Sequence, residues 1–145
     1  MNSIIKGSLG CLIAFGLAMR TIPVASHEIV FKQLRIEHPY TFEPEVRLPA
    51  RLPIYMLISN RSEQSDRLIA VETVHGASTV LAGAPLSDGG IELPAKAQTV
   101  LGPKSAYVLL RDLEETVEGY QYFPIVLVFE KAGKVEIEVY VEDRP

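Results

Sequence analysis

The amino-acid sequence predicts an all-β domain, a Greek-key β-sandwich of eight or nine short strands. Three observations carry that expectation. Short apolar or alternating runs are separated by turn residues along the chain beyond residue 26. Val135, Ile137, Val139 and Val141 alternate with Glu136, Glu138, Tyr140 and Glu142, which gives one strand a buried and a solvated face. Only the acidic segment 113–119 leaves room for a helical turn.

Taken in order, residues 28–37 alternate Ile29 and Phe31, then Leu34 and Ile36, with a phase slip that predicts a bulge within one strand. His38-Pro39 ends that strand, because a residue before proline favours extended or turn geometry and proline lacks a ladder donor. Residues 41–53, rich in proline and charge, read as a surface loop. Residues 54–59 form a continuous apolar strand, 60–66 a polar turn and 67–74 another strand. A short strand at 78–81 leads into a turn-rich link over 83–90. Short strands follow at 91–94, 98–101 and 105–110. Residues 123–130 and 135–141 flank Lys131-Ala132-Gly133-Lys134, a hairpin signal.

Residues 1–26 read as a secretory signal peptide. Lys6 supplies the positive start, 7–19 the apolar run, and 21–26 a more polar end with small residues at Val24 and Ser26. The run falls short of the roughly 18 apolar residues a spanning helix needs. The expected cleavage follows Ser26, so the folded domain is 27–145 and begins at His27. Ser8-Leu9-Gly10-Cys11 resembles a lipoprotein signal, but it lies inside the apolar run. Processing after Ser26 removes Cys11, the only cysteine, and with it any thiol metal site or disulfide. It leaves 12 basic against 18 acidic side chains, which disfavours nucleic acid and anionic lipid as partners. The expected location is periplasmic or secreted, with no stable membrane insertion after cleavage.

Catalytic motifs are absent: there is no GxSxG elbow, HExxH, P-loop or glycine-rich dinucleotide turn, so the expected protein is not an enzyme. Glu114, Glu115 and Glu118 read as a solvated acidic face. Tyr107, Tyr120, Tyr122 and Phe123 concentrate aromatic side chains, as core or as a partner surface. Met56 reads as core filler in an apolar strand.

Several blocks resemble the PCu(A)C periplasmic copper chaperone family. They are Ile36-Glu37-His38-Pro39-Tyr40, the strand 55–60 with Asp66-Arg67-Leu68, Ile91-Glu92-Leu93-Pro94-Ala95, and Phe123-Pro124 with Phe129-Glu130-Lys131-Ala132-Gly133. Together they span most of 27–145. The resemblance implies a cupredoxin-like fold and a copper-binding or copper-delivery role, with a copper-receiving protein as partner.

That family binds Cu(I) through a His or Met, ten residues, a Met, twenty-one residues, then His-x-Met. Laid on this frame, the ligand positions fall on Ala82, near Pro85, on Tyr107 and on Leu109. Ala, Pro and Leu carry no donor, and tyrosine is a poor ligand for Cu(I), which prefers thioether and imidazole. The chain thus reads as a divergent member without the usual motif.

The candidate metal ligands are then His27, His38 and His75. A free α-amine and imidazole at a terminal His27, joined by a second histidine, form a three-nitrogen set that suits Cu(II). If the strand between them is one extended run, His27 and His38 lie about 30 Å apart and cannot share an ion unless the chain end folds back. The blander readings keep His38 as a strand-end residue, His75 as a turn residue and His27 as a polar terminus. Copper, Cu(II) before Cu(I), is therefore the expected ligand. The alternative is a metal-free binding or assembly module that kept the fold and lost copper.

Overall fold

The computed structural model describes residues 27–44, 50–73, 78–87, 89–113, 117–119 and 121–145. Its ten strands are β1 (Glu28–Phe31), β2 (Leu34–Phe42), β3 (Ala50–Asn60), β4 (Asp66–Thr73), β5 (Ser78–Ala82), β6 (Ile91–Leu93), β7 (Ala97–Leu101), β8 (Tyr107–Leu113), β9 (Tyr122–Phe129) and β10 (Gly133–Glu142). No helix occurs among the described residues. The all-β, cupredoxin-like class expected from the sequence is the observed one. The signal segment, Cys11, and Glu114, Glu115 and Tyr120 lie outside the described residues.

The strands join in the order β5-β8-β3-β2-β10-β9-β4-β6, with β1 added to β2 and β7 to β3. All pairings are antiparallel except β10 with β2. The path curls on itself, and the Thr79 hydroxyl on β5 donates to the Val71 carbonyl on β4. Inside, Ile36, Leu52, Ile54, Leu68, Leu127 and Val139 are fully buried. Each such side chain contributes about 1.5–3 kcal/mol through removal of apolar area from water.

Two features of the first fifty residues differ from the sequence expectation. The run 28–37 is a hairpin, not one bulged strand, because Lys32 takes φ +55° and reverses the chain. The span 41–53 is not all loop: β2 reaches Phe42 and β3 starts at Ala50. The extra hairpin strand is why the count reaches ten.

Three polar side chains that the fold buries, Thr41, Asn60 and Asp66, are used. Thr41 is fully buried and its hydroxyl donates to the Pro53 carbonyl at 2.6 Å. Asn60 caps the 61–65 turn: its Nδ2 donates to the carbonyls of Gln64 and Leu93, and its Oδ1 accepts the Ser62 N–H. Asp66 pins the β9–β10 turn. Its Oδ1 accepts the N–H groups of Arg67 and Lys131 at 2.8 Å, and its Oδ2 accepts that of Ala132 at 2.9 Å.

Candidate metal centre

The hairpin settles where His27 and His38 sit relative to each other. Glu28 pairs with Glu37, and one step further the His38 N–H donates to the His27 carbonyl at 2.9 Å. The two histidines therefore face each other across the open end of β1–β2. The separation expected for a single extended strand does not arise, since the chain end folds back on β2. His75 lies outside the described residues.

His38 is also the point where β2 changes face. Its φ is +48°, an uncommon value for a residue with a side chain, and the β2–β3 register shifts between Glu37 and Tyr40. Before the irregularity Leu34 and Ile36 are buried; after it Pro39 and Thr41 are. A bulge inserts one residue and re-aims those that follow. Here it turns His38, Tyr40 and Phe42 outward. The His38 Nε2 lies 2.8 Å from Glu142 Oε1, and its ring centroid 5.0 Å from that of Tyr40.

On the other histidine, the Nε2 lies 2.7 Å from the Tyr122 hydroxyl. The His27 ring centroid is 5.0 Å from Tyr122 and 6.3 Å, stacked, from Tyr140. This leaves Nδ1 of His27 as the ring nitrogen nearest its own backbone, the one a five-atom bite with the α-nitrogen requires. Tyr122 and Glu142 thus orient one histidine each.

These two histidines stand beside a row of tyrosines. Tyr122 pairs with Tyr140, Tyr140 with Tyr40, and Tyr40 with Tyr55 in strand register. Tyr55 meets Tyr107 with ring centroids 6.0 Å apart. Five neighbouring strands, β9, β10, β2, β3 and β8, contribute one tyrosine each. Burial, then the Glu142 carboxylate, raises the Tyr40 pKa above its usual 10.0. Burial and the neighbouring Tyr107 and Tyr40 raise that of Tyr55, against the lowering effect of Arg144. Burial, Tyr122, Glu142 and Asp143 raise that of Tyr140. Tyr40, Tyr55 and Tyr140 are therefore neutral phenols at neutral pH and not anionic ligands.

At the far end of the row lie the positions the family resemblance assigns to copper. Ala82 and Tyr107 are register partners across β5 and β8, which brings the two positions side by side, and Leu109 pairs with Val80. Ala82 has no donor, and Tyr107 packs on Tyr55. The chain then turns at once through Gly83, whose φ is +81°. A Cβ there would stand 2.2 Å from the Ser105 carbonyl oxygen, so the link closes directly onto the β7–β8 connection. Among the described residues no three His, Cys, Asp or Glu side chains come together as a metal site. Met56 is buried, 3 % exposed, as a core residue.

Sequence reasoning did not find Tyr140 and Glu142 as neighbours of the histidines. Tyr140 was legible only as part of a solvated face, and Glu142 reaches His38 across 104 residues of sequence.

Comparison with known proteins bears on this arrangement. A family model described as lipoprotein LpqE-like matches residues 35–141. The structure is similar to the copper-bound PCuAC domain from PmoF2, with a TM-score of 0.74 and 31 % identity over 81 % of this chain and 99 % of that one. The apo PCuAC domain from PmoF1 gives a TM-score of 0.74 and 30 % identity over 81 % of this chain and all of that one, 100 %. The Cu(I) form of DR1885 from Deinococcus radiodurans, at 16 % identity and a TM-score of 0.60 over 86 % of this chain and 85 % of that one, shares the fold. A sequence search of curated proteins gave no match. A family model spanning most of the domain and PCuAC structures at about a third identity agree: the chain belongs to the LpqE-like family of PCuAC-type domains.

Proposed function

We propose that this chain is a periplasmic or secreted copper-handling protein, a binding and delivery domain and not an enzyme, that holds Cu(II) as cargo through nitrogen. The anchor is His27, made N-terminal by cleavage after Ser26. Its α-amine and Nδ1 close a six-membered chelate ring on the metal, and the His38 imidazole supplies the third nitrogen. The observation that carries this reading is the His38 N–H to His27 carbonyl bond of 2.9 Å, which makes the two residues neighbours.

The donor chemistry fits. Amine and imidazole nitrogens suit Cu(II), and no thiol is left to favour Cu(I). Tyr122 on His27 Nε2 leaves Nδ1 for the chelate and fixes the ring, the role that outer partners of metal-bound histidines usually play. Binding through His38 Nε2 displaces Glu142; binding through Nδ1 keeps it. His75 is the reserve donor. The copper-bound PCuAC relative supports copper as the cargo. A copper-receiving protein is the matching partner.

The test is N-terminal sequencing of exported protein, followed by Cu(II) titration of that form and of a form with one extra residue ahead of His27. The expected results are a start at His27 and tight binding lost in the extended form. A lipid-modified start at Cys11, which the lipoprotein description of the family favours, would remove the free amine and overturn the site.

A second reading rests on Ala82, Pro85, Tyr107 and Leu109, none of them a Cu(I) donor. It is a metal-free binding or assembly module. Absence of Cu(II) binding by the correctly processed form would select it.

A further inference from the structure

We infer that the slot between β1 and β10 is a docking groove for an extended, lysine- or arginine-bearing segment of a partner protein, taken up by strand addition to β1. The topology leaves this slot open. One edge of β2 is shared: β1 pairs along residues 34–37, and β10 pairs only along 40–42. From Gly133 to Val139, β10 has β9 on one side and, among the described residues, no strand on the other. Between the two free edges lies a cavity of about 230 Å3, lined by His27, Glu28 and Ile29 on one side and Glu136, Ile137 and Glu138 on the other.

The backbone in the slot is available. In an antiparallel ladder, hydrogen-bonded and non-hydrogen-bonded pairs alternate. His27–His38 is a bonded pair, so the peptide groups of Glu28 and Val30 point away from β2 and toward the slot. They offer two donors and two acceptors to an incoming strand. Lys32 closes the far end, where its Nζ donates to the Ala132 carbonyl. Ile137, 2 % exposed, and the half-buried Ile29 form an apolar floor, and Val30 is 61 % exposed at the rim.

Charge selects the occupant. Glu136 and Glu138 are exposed and have no cationic partner among the described residues, whereas Glu28 is held by Arg35 at 2.6 Å. A second copy of the chain would set Glu28, Glu136 and Glu138 against their own kind, which a charged edge strand disfavours. A basic strand meets complementary charge on the wall and an open ladder on the edge. The slot borders His27, which the copper reading also uses, but this inference needs no bound metal: it rests on the open ladder of β1 and on the Glu136 and Glu138 carboxylates.

The experiment is a titration of the isotope-labelled, processed chain with a synthetic peptide of alternating lysine and valine, followed by amide shifts. A peptide of alternating glutamate and valine is the control. Saturable shifts over 28–31 and 134–138, weakened by salt, are expected from the lysine peptide only. Charge reversal at Glu136→Lys with Glu138→Lys should weaken binding by more than about tenfold. Val30→Pro removes an N–H that faces the slot and none that bonds β2, so it should weaken binding while the fold is kept. If Val30→Pro disturbs β1, the charge reversal decides. No shifts, equal binding of the two peptides, an unchanged affinity after charge reversal, or concentration-dependent self-association through β1 would overturn the proposal.

Discussion

The His38 backbone N–H donates to the His27 carbonyl at 2.9 Å, so two histidines eleven positions apart in sequence are neighbours across a hairpin end. Each ring is separately held, His27 by Tyr122 and His38 by Glu142. Pre-held donors lose less freedom when they bind a ligand.

For Cu(II), His38→Ala should weaken binding by more than about tenfold, or about 1.4 kcal/mol. Tyr122→Phe keeps the ring but removes the hydroxyl on Nε2, and should weaken binding by about tenfold. Competition titration against a chelator of known affinity measures both. Equal affinity in native and His38→Ala protein would move the third nitrogen to His75.

For Cu(I), no tight site should form at the β5–β8 corner, because Ala82, Tyr107 and Leu109 offer neither thioether nor imidazole. Titration against a Cu(I) chelator should show no high-affinity step. A tight site lost on changing Tyr107 or Leu109 would show that the corner binds metal after all.

Asp66→Ala strands three backbone N–H groups at once, those of Arg67, Lys131 and Ala132. At about 1 kcal/mol each, the loss should reach about 3 kcal/mol, read as a lower urea midpoint. Copper binding at the opposite end of the hairpin should survive in the folded fraction.

Gly83→Ala should destabilise by about 2 kcal/mol or more, since the residue needs φ +81° and its new Cβ would strike the Ser105 carbonyl. Chemical denaturation checks the value. A neutral outcome would mean that the β7–β8 connection gives way easily.

Alkaline pH should weaken the fold. The pKa values of Tyr40, Tyr55 and Tyr140 are raised in the folded chain above the usual 10.0, so between that value and the folded ones the native state binds more protons than the unfolded. Their contribution is complete below pH 10.0 and is lost as pH climbs through the folded values. Denaturation midpoints measured on either side of that window should fall, and tyrosinate absorbance should rise late.

The strands were legible because burial on one face imposes a period of two, which Val135 to Val141 display directly. The β1–β2 turn was not. Lys32-Gln33 carries none of the glycine or asparagine that marks a tight hairpin, and a lysine at φ +55° costs about 1 kcal/mol, which the paired strands around it offset. The phase slip was real in the sequence, yet a bulge and a reversal give the same slip. The bulge itself sits at His38, where the following proline already signalled a break. The partners of the histidines, Tyr122 and Glu142, come from the last quarter of the chain, and only the parallel β10–β2 pairing brings them there. No local pattern encodes that meeting.

The tyrosine row also makes the protein its own optical probe. The chain has six tyrosines and no tryptophan, and five of the six stand in one line across five strands. No indole is present to drain the excited state, so light absorbed anywhere along the line can pass between like rings, and emission reports the line as a unit. A paramagnetic ion near His27 would therefore quench light absorbed at Tyr107, several strands away, and fluorescence would register an event at one end of the barrel from the other.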